Sequence, residues 1–128
     1  MKPVATYRIQ LNREFNFAKL KSILPYLSKL GISHVYASPI VQSRHGSTHG
    51  YDAADPNKIN EELGGKTAFD ALTKEAAALG LEWIQDIVPN HIAYSPESTY
   101  VSDLMKYGSS STKLLVWKLP EASVKPSA

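Results

Sequence analysis

The sequence contains no cysteine, so disulfide bridges and thiolate metal sites are both excluded. It has no marked excess of one charge: 14 Lys and Arg oppose 12 Asp and Glu, a net charge of +2. That balance, spread along the whole chain, does not make a phosphate-tracking surface, and no nucleic-acid partner is expected. It also lacks a long apolar run, and Met1-Lys2-Pro3-Val4-Ala5-Thr6-Tyr7-Arg8 holds no apolar signal core. No membrane partner is therefore expected, and a cytoplasmic location is the default. What the 128 residues do have is 43% hydrophobic and 20% charged side chains, a composition that can bury a core.

Periodicity changes along the chain. Residues 4–11 alternate, with Tyr7, Ile9 and Leu11 on one face and Arg8 and Gln10 on the other, which predicts a strand. A helix follows, with Asn16 as its N-cap, an apolar stripe of Phe17, Leu20, Ile23, Leu24, Leu27 and Leu30, and Gly31 as its C′ residue. Pro25 within that stripe predicts a kink or loosened first turns. A second strand is expected over residues 32–40 and a long loop over 41–62. Next comes a helix capped by Thr67, with Asp70 completing an acidic capping box and Phe69, Leu72, Ala76 and Leu79 buried. Gly80 closes that helix, and residues 81–88 form a third strand in which Trp83 belongs to the core.

A weak repeat supports this order. Leu30-Gly31-Ile32 recurs as Leu79-Gly80-Leu81, each joining a helix to a strand that then runs into a proline. Strands alternating with helices predict right-handed crossovers and a parallel sheet, an α/β fold. The helix-to-strand joins are minimal, whereas the join after the second strand exceeds twenty residues. Loops that long are usually functional, and parallel α/β folds gather their sites at the carboxyl ends of strands.

Two segments at that end carry chemistry. In Arg44-His45-Gly46-Ser47-Thr48-His49-Gly50-Tyr51-Asp52, an imidazole, an aromatic face and a carboxylate fall within four residues, a mixture suited to sugars. The plain alternative is a polar loop with glycine turns. In Asp86-Ile87-Val88-Pro89-Asn90-His91, alternation puts Asp86 and Val88 on one face and Pro89 turns Asn90 and His91 to the strand tip. The alternative is a buried aspartate paired with a cation. His45, His49, Asp52 and His91 could also compose a divalent-metal set, but His45 and His49 straddle Gly46 with no rigid element to aim them, so no metal is expected.

These segments resemble the α-amylase family of glycoside hydrolases. Asp86 to His91 is similar to that family's first conserved region, and His49-Gly50-Tyr51-Asp52 to the segment lining the subsite of the reacting glucose. Thr6-Tyr7-Arg8-Ile9-Gln10-Leu11, Ser38-Pro39-Ile40, Gly46 to Asp52, and Asp55-Pro56 through Glu62-Leu63-Gly64-Gly65 resemble, within it, the branch of maltooligosyl trehalose synthases. The resemblance covers about residues 5 to 111.

It implies the N-terminal part of a (β/α)₈ TIM barrel, about three β/α units, with parallel strands. Residues 1–111 would be a partial catalytic barrel and 112–128 a divergent, disordered or frameshifted tail. It further implies that Tyr51 stacks on the sugar, that His49, Asp52 and His91 bind its hydroxyls, and that Asp86 pairs with a barrel arginine lying outside this chain. The resemblance also implies that Asn90 supports the site, at a position that ligates calcium in many relatives, although this branch does not generally depend on the ion; no cofactor is expected.

The implied partner is a maltooligosaccharide or α-glucan, whose reducing-end α-1,4 linkage becomes α,α-1,1 by intramolecular transglycosylation through a carboxylate nucleophile and an acid/base. Those carboxylates come from later strands, so no residue of this chain is expected to be catalytic and the isolated chain should be inactive. The alternatives are a small self-contained α/β sugar-binding module without catalysis, or a fragment of another α-amylase-family hydrolase.

Overall fold

A computed structural model describes residues 4–112. The parallel sheet consists of β1 (Thr6–Ile9), β2 (His34–Ala37) and β5 (Glu82–Gln85), in the order β1-β2-β5. Tyr7 pairs with Val35 and Val35 with Trp83, so like-facing residues form rows across the strands. The helices α1 (Phe17–Lys29) and α2 (Gly65–Ala78) make the crossovers. Ladder bonds run past the strand ends: Ser38 N–H donates to Ile9 O at 2.9 Å and Asp86 N–H to Ala37 O at 3.0 Å. The strands expected over 32–40 and 81–88 are thus shorter as regular elements, but their neighbours keep the sheet's hydrogen bonding.

The core lies between one sheet face and the two helices. Ile9, Leu11, Val35 and Ala37 meet Phe17, Leu20, Leu24, Leu27, Leu72 and Ala76, all nearly or fully buried. Each of the larger side chains among them contributes about 1.5–3 kcal/mol when fully removed from water. Phe69 links the helix layer to the sheet, with its ring 5.3 Å from Phe17 and edge-on to Trp83 at 5.7 Å. Of the expected stripe of α1, Phe17, Leu20, Leu24 and Leu27 are buried, Ile23 is half-buried, and Leu30 sits at the C-cap and is exposed. The helix runs on through Pro25 as one element.

Asn16 caps α1 as expected, its side chain accepting Lys19 N–H at 3.1 Å. The repeat around Gly31 and Gly80 turns out to be the same Schellman stop used twice. Ile32 N–H reaches Leu27 O and Leu81 N–H reaches Ala76 O, and the glycines between them hold φ of +90° and +73°.

Three expectations need correction. First, Thr67 does not cap α2. The helix begins three residues earlier, with Gly64 at the N-cap (φ +118°) and no side-chain cap, and Asp70 pairs with Lys66 at 2.7 Å on its surface. The glycine pair can take left-handed backbone that brings the chain into the helix sooner than a threonine cap would.

Second, the long loop contains structure. Residues β3 (Val41–Ser43) and β4 (Ala53–Ile59) pair antiparallel with shifted register, and a 3₁₀ turn follows at Glu61–Leu63. A two-stranded sheet tolerates Pro56 and needs no apolar alternation, which hid the hairpin. Third, the stretch after β5, for which no element was expected, ends in α3 (Thr99–Tyr107), capped by the buried Ser98. The tail at residues 113–128 lies outside the described residues.

Candidate functional site

The site stands on the face of the sheet opposite the helices and at its carboxyl end. Alternation turns Arg8 of β1 and Tyr36 of β2 to that face, and Arg8 lies over the Tyr36 ring with its guanidinium carbon 4.7 Å from the centroid. Asp86 follows β5 with the same parity. From the β3–β4 connection Tyr51 reaches over to them: its hydroxyl donates to Asp86 Oδ2 at 2.5 Å and accepts from Arg8 Nη2 at 2.6 Å. Arg8 also approaches Asp86 directly at 3.3 Å. The hydrogen bond to Asp86, aided by burial, raises the Tyr51 pKa above the ordinary tyrosine value, while the Arg8 cation pulls it the other way.

The cation expected to pair with Asp86 was assigned to a segment outside this chain. Within the chain, Arg8, 78 residues earlier, is the cation that meets the carboxylate. Pattern reading put Arg8 and Gln10 on the non-core face of the first strand, and that was the signal available for it. Gln10 is a second residue missed, its amide donating to His49 O at 3.0 Å.

The connection between β3 and β4 is tightly organised. Ser47 Oγ donates to Asp52 Oδ1 at 2.6 Å and accepts Gly50 N–H at 3.1 Å. Gly50 holds φ +79°, and a Cβ there would meet the Pro39 carbonyl oxygen at 3.1 Å. His49 Nδ1 accepts Tyr51 N–H at 3.0 Å, which leaves the proton of a neutral ring on Nε2. The two rings stack, 6.0 Å apart and 19° from parallel. Two carboxylates brace the loop from outside. Glu97 accepts His45 N–H at 2.7 Å, and Glu62 accepts Gly46 N–H at 3.1 Å and meets His45 Nδ1 at 2.6 Å.

His91 joins the same group. Its Nε2 donates to Tyr51 O at 3.0 Å and its Nδ1 lies 3.0 Å from the Asn90 side chain. A neutral His91 meets that amide through its nitrogen end, a protonated one through its oxygen. His49, Tyr51, Asp52, Asp86, Asn90 and His91 are therefore brought together. They come from one hairpin connection and one strand-end turn, however, and not each from a neighbouring parallel strand. The half-open hollow beside them, of about 210 Å³, is mostly apolar: Asp86 and His91 line it with Ile40, Val88 and Ile92, whereas His49, Tyr51 and Asp52 do not line it. His45 of the four-residue metal set points to Glu62 instead, and among the described residues no group of three His, Asp or Glu is placed to hold a metal ion.

The sequence matches the family model of the α-amylase catalytic domain over residues 17–127. The chain belongs to the α-amylase family. Within the family it is 41% identical over 115 residues to a putative maltooligosyl trehalose synthase of Mycobacterium tuberculosis, covering 84% of this chain and 15% of that protein. Among solved structures, a glycosyltrehalose synthase superposes with a TM-score of 0.84 at 50% identity, covering 85% of this chain and 15% of the other. The maltooligosyltrehalose synthase of Arthrobacter ramosus gives 0.83 at 34% identity, covering 87% and 15%. The chain thus spans about 15% of the length of these relatives. It carries the first part of the family's barrel, α/β with three parallel strands.

Proposed function

We propose that this chain is the sugar-contacting N-terminal segment of a maltooligosyl trehalose synthase. The observation that supports it is the convergence of His49, Tyr51, Asp52, Asp86 and His91 at the sheet's carboxyl end, in a chain 50% identical to a glycosyltrehalose synthase. In this reading the terminal glucose of a maltooligosaccharide lies on the Tyr51 ring. His49 offers its Nε2–H, Asp52 its second carboxylate oxygen, and His91 a ring nitrogen exchanged from Asn90. Asp86 and Asn90 keep the surrounding groups in place.

The nucleophile and the acid/base belong to later strands, and the full reaction moves the reducing-end linkage from α-1,4 to α,α-1,1 without admitting water. The segment alone turns nothing over. A cytoplasmic location accompanies this reading; among the described residues no helix is long and apolar enough to cross a membrane.

Titration of the 128-residue chain with maltotriose, followed through tyrosine and imidazole NMR resonances, tests it. Tyr51 and His49 signals should move together, and Tyr51→Ala should abolish the response. Shifts that survive Tyr51→Ala, or no shifts at all, would remove the carbohydrate assignment. A second reading, a self-contained module that binds sugar without turnover, gains support from the segment's own core and from the absence of unsatisfied buried side-chain polar atoms among the described residues.

A further inference from the structure

Among the described residues, the Arg8 guanidinium is the group that touches both Tyr51 and Asp86. Its Nη2 lies 2.6 Å from the Tyr51 hydroxyl and 3.3 Å from Asp86 Oδ2, and the Tyr51 hydroxyl closes the triangle at 2.5 Å from the same carboxylate. The plane is fixed from below by the Tyr36 ring at 4.7 Å. Arg8 therefore spans all three parallel strands: it is rooted in β1, rests on β2 and holds the group that follows β5. The hairpin connection, by contrast, reaches this face at the far end of the Tyr51 ring. Without an anchor the ring could rotate about its side-chain bonds, and among the described residues Arg8 and Asp86 are the side chains that bond its hydroxyl.

We infer that Arg8 is a positioning residue for substrate: it sets the height and plane of the Tyr51 ring so that the ring, with His49 stacked beside it, is held ready to receive a sugar. This rests on the carbohydrate reading for the word substrate, and on the triangle alone for the positioning. An arginine suits the task because its charge persists at any physiological pH and its planar fork can meet a phenol and a carboxylate while lying flat on an aromatic ring. A lysine would supply the charge as a single point and leave the plane undetermined.

The test uses the 128-residue chain and its Arg8→Met, Arg8→Lys and Tyr51→Phe variants. Tyrosine ring-carbon resonances, with Tyr51 assigned through Tyr51→Phe, are followed against pH. Ring-to-ring NOEs between His49 and Tyr51 and the affinity for maltotriose are measured alongside. In Arg8→Met, Tyr51 should titrate at higher pH than in the parent, because Asp86 then acts unopposed. The His49 NOE should be lost, and maltotriose should bind about ten-fold more weakly, the effect of one charge-assisted hydrogen bond.

Arg8→Lys should also lose the NOE and bind several-fold more weakly. An unchanged Tyr51 midpoint and NOE in folded Arg8→Met overturns the inference. Should that variant not fold by circular dichroism, a parent-like NOE and affinity in Arg8→Lys overturns it instead. A parent chain that binds no maltotriose would defeat the functional reading, while the NOE and titration would still decide the positioning role.

Discussion

Tyr51 is held through three points. Its hydroxyl joins Arg8 and Asp86, its carbonyl accepts from His91, and its amide donates to His49. Because the Asp86 bond raises its pKa, the folded chain retains the phenolic proton to higher pH than the unfolded chain does. The sign follows: this stabilisation is complete below the unfolded tyrosine value near 10 and is lost as pH rises through the raised folded value. Urea midpoints measured from neutral pH upward should therefore fall more steeply in the parent than in Tyr51→Phe, with the difference confined to the alkaline end. One residue earlier, Gly50→Ala places a side chain at φ +79° against the Pro39 carbonyl. It should cost about 1–2 kcal/mol in chemical denaturation, the usual penalty of left-handed backbone for an L-residue, and should weaken any sugar response carried by Tyr51.

At the scale of elements, caps distinguish what a sequence shows from what it hides. Asn16 before a stripe of period 3.6 is a local signal, and the structure follows it. Thr67 and Asp70 made an equally local signal, but the chain enters α2 three residues sooner through Gly64 and Gly65. Asn16→Ala should then cost about 1 kcal/mol in a thermal or urea melt, whereas Thr67→Ala should stay within about 0.5 kcal/mol of the parent. Thr67→Ala losing as much as Asn16→Ala would restore the box.

The hairpin was illegible for a different reason. Its longer strand, AADPNKI, carries a proline and little alternation, and is held by one short partner and by contacts from afar. Ala93 N–H donates to Ala53 O at 2.7 Å and Asn57 to Tyr100 at 3.1 Å, both across about forty residues. The Arg8–Asp86 pair is farther apart still. Strand parity put Arg8 on the non-core face and residue type singled out Asp86, but only the sheet register decides that β1 and the end of β5 face one another across β2.

The whole molecule is a sheet with two open sides. Each of β1 and β5 pairs only with β2 among the described strands, so their outer edges offer free backbone donors and acceptors. Large apolar side chains lie exposed near the same region, Ile87 at 69% and Tyr94 at 81%. If the chain is the opening of a larger barrel, size-exclusion chromatography should show it associating as concentration rises, since unpaired edges and apolar patches are what further strands would cover. A sharp monomer peak together with one cooperative melt would instead favour the self-contained module.

Connections at the two ends of this sheet differ sharply in kind. The helices stop in two near-identical hydrogen-bonded turns that leave no slack between helix and strand. The opposite end is a laced scaffold of carboxylates, amides and rings. Variation is therefore unevenly affordable: a pair of residues spliced in beside Gly31 or Gly80 would shift the register of a whole strand, whereas an exchange at Thr48 would be absorbed locally. Descendants of such a chain would be expected to diverge in what they grip long before they diverge in shape.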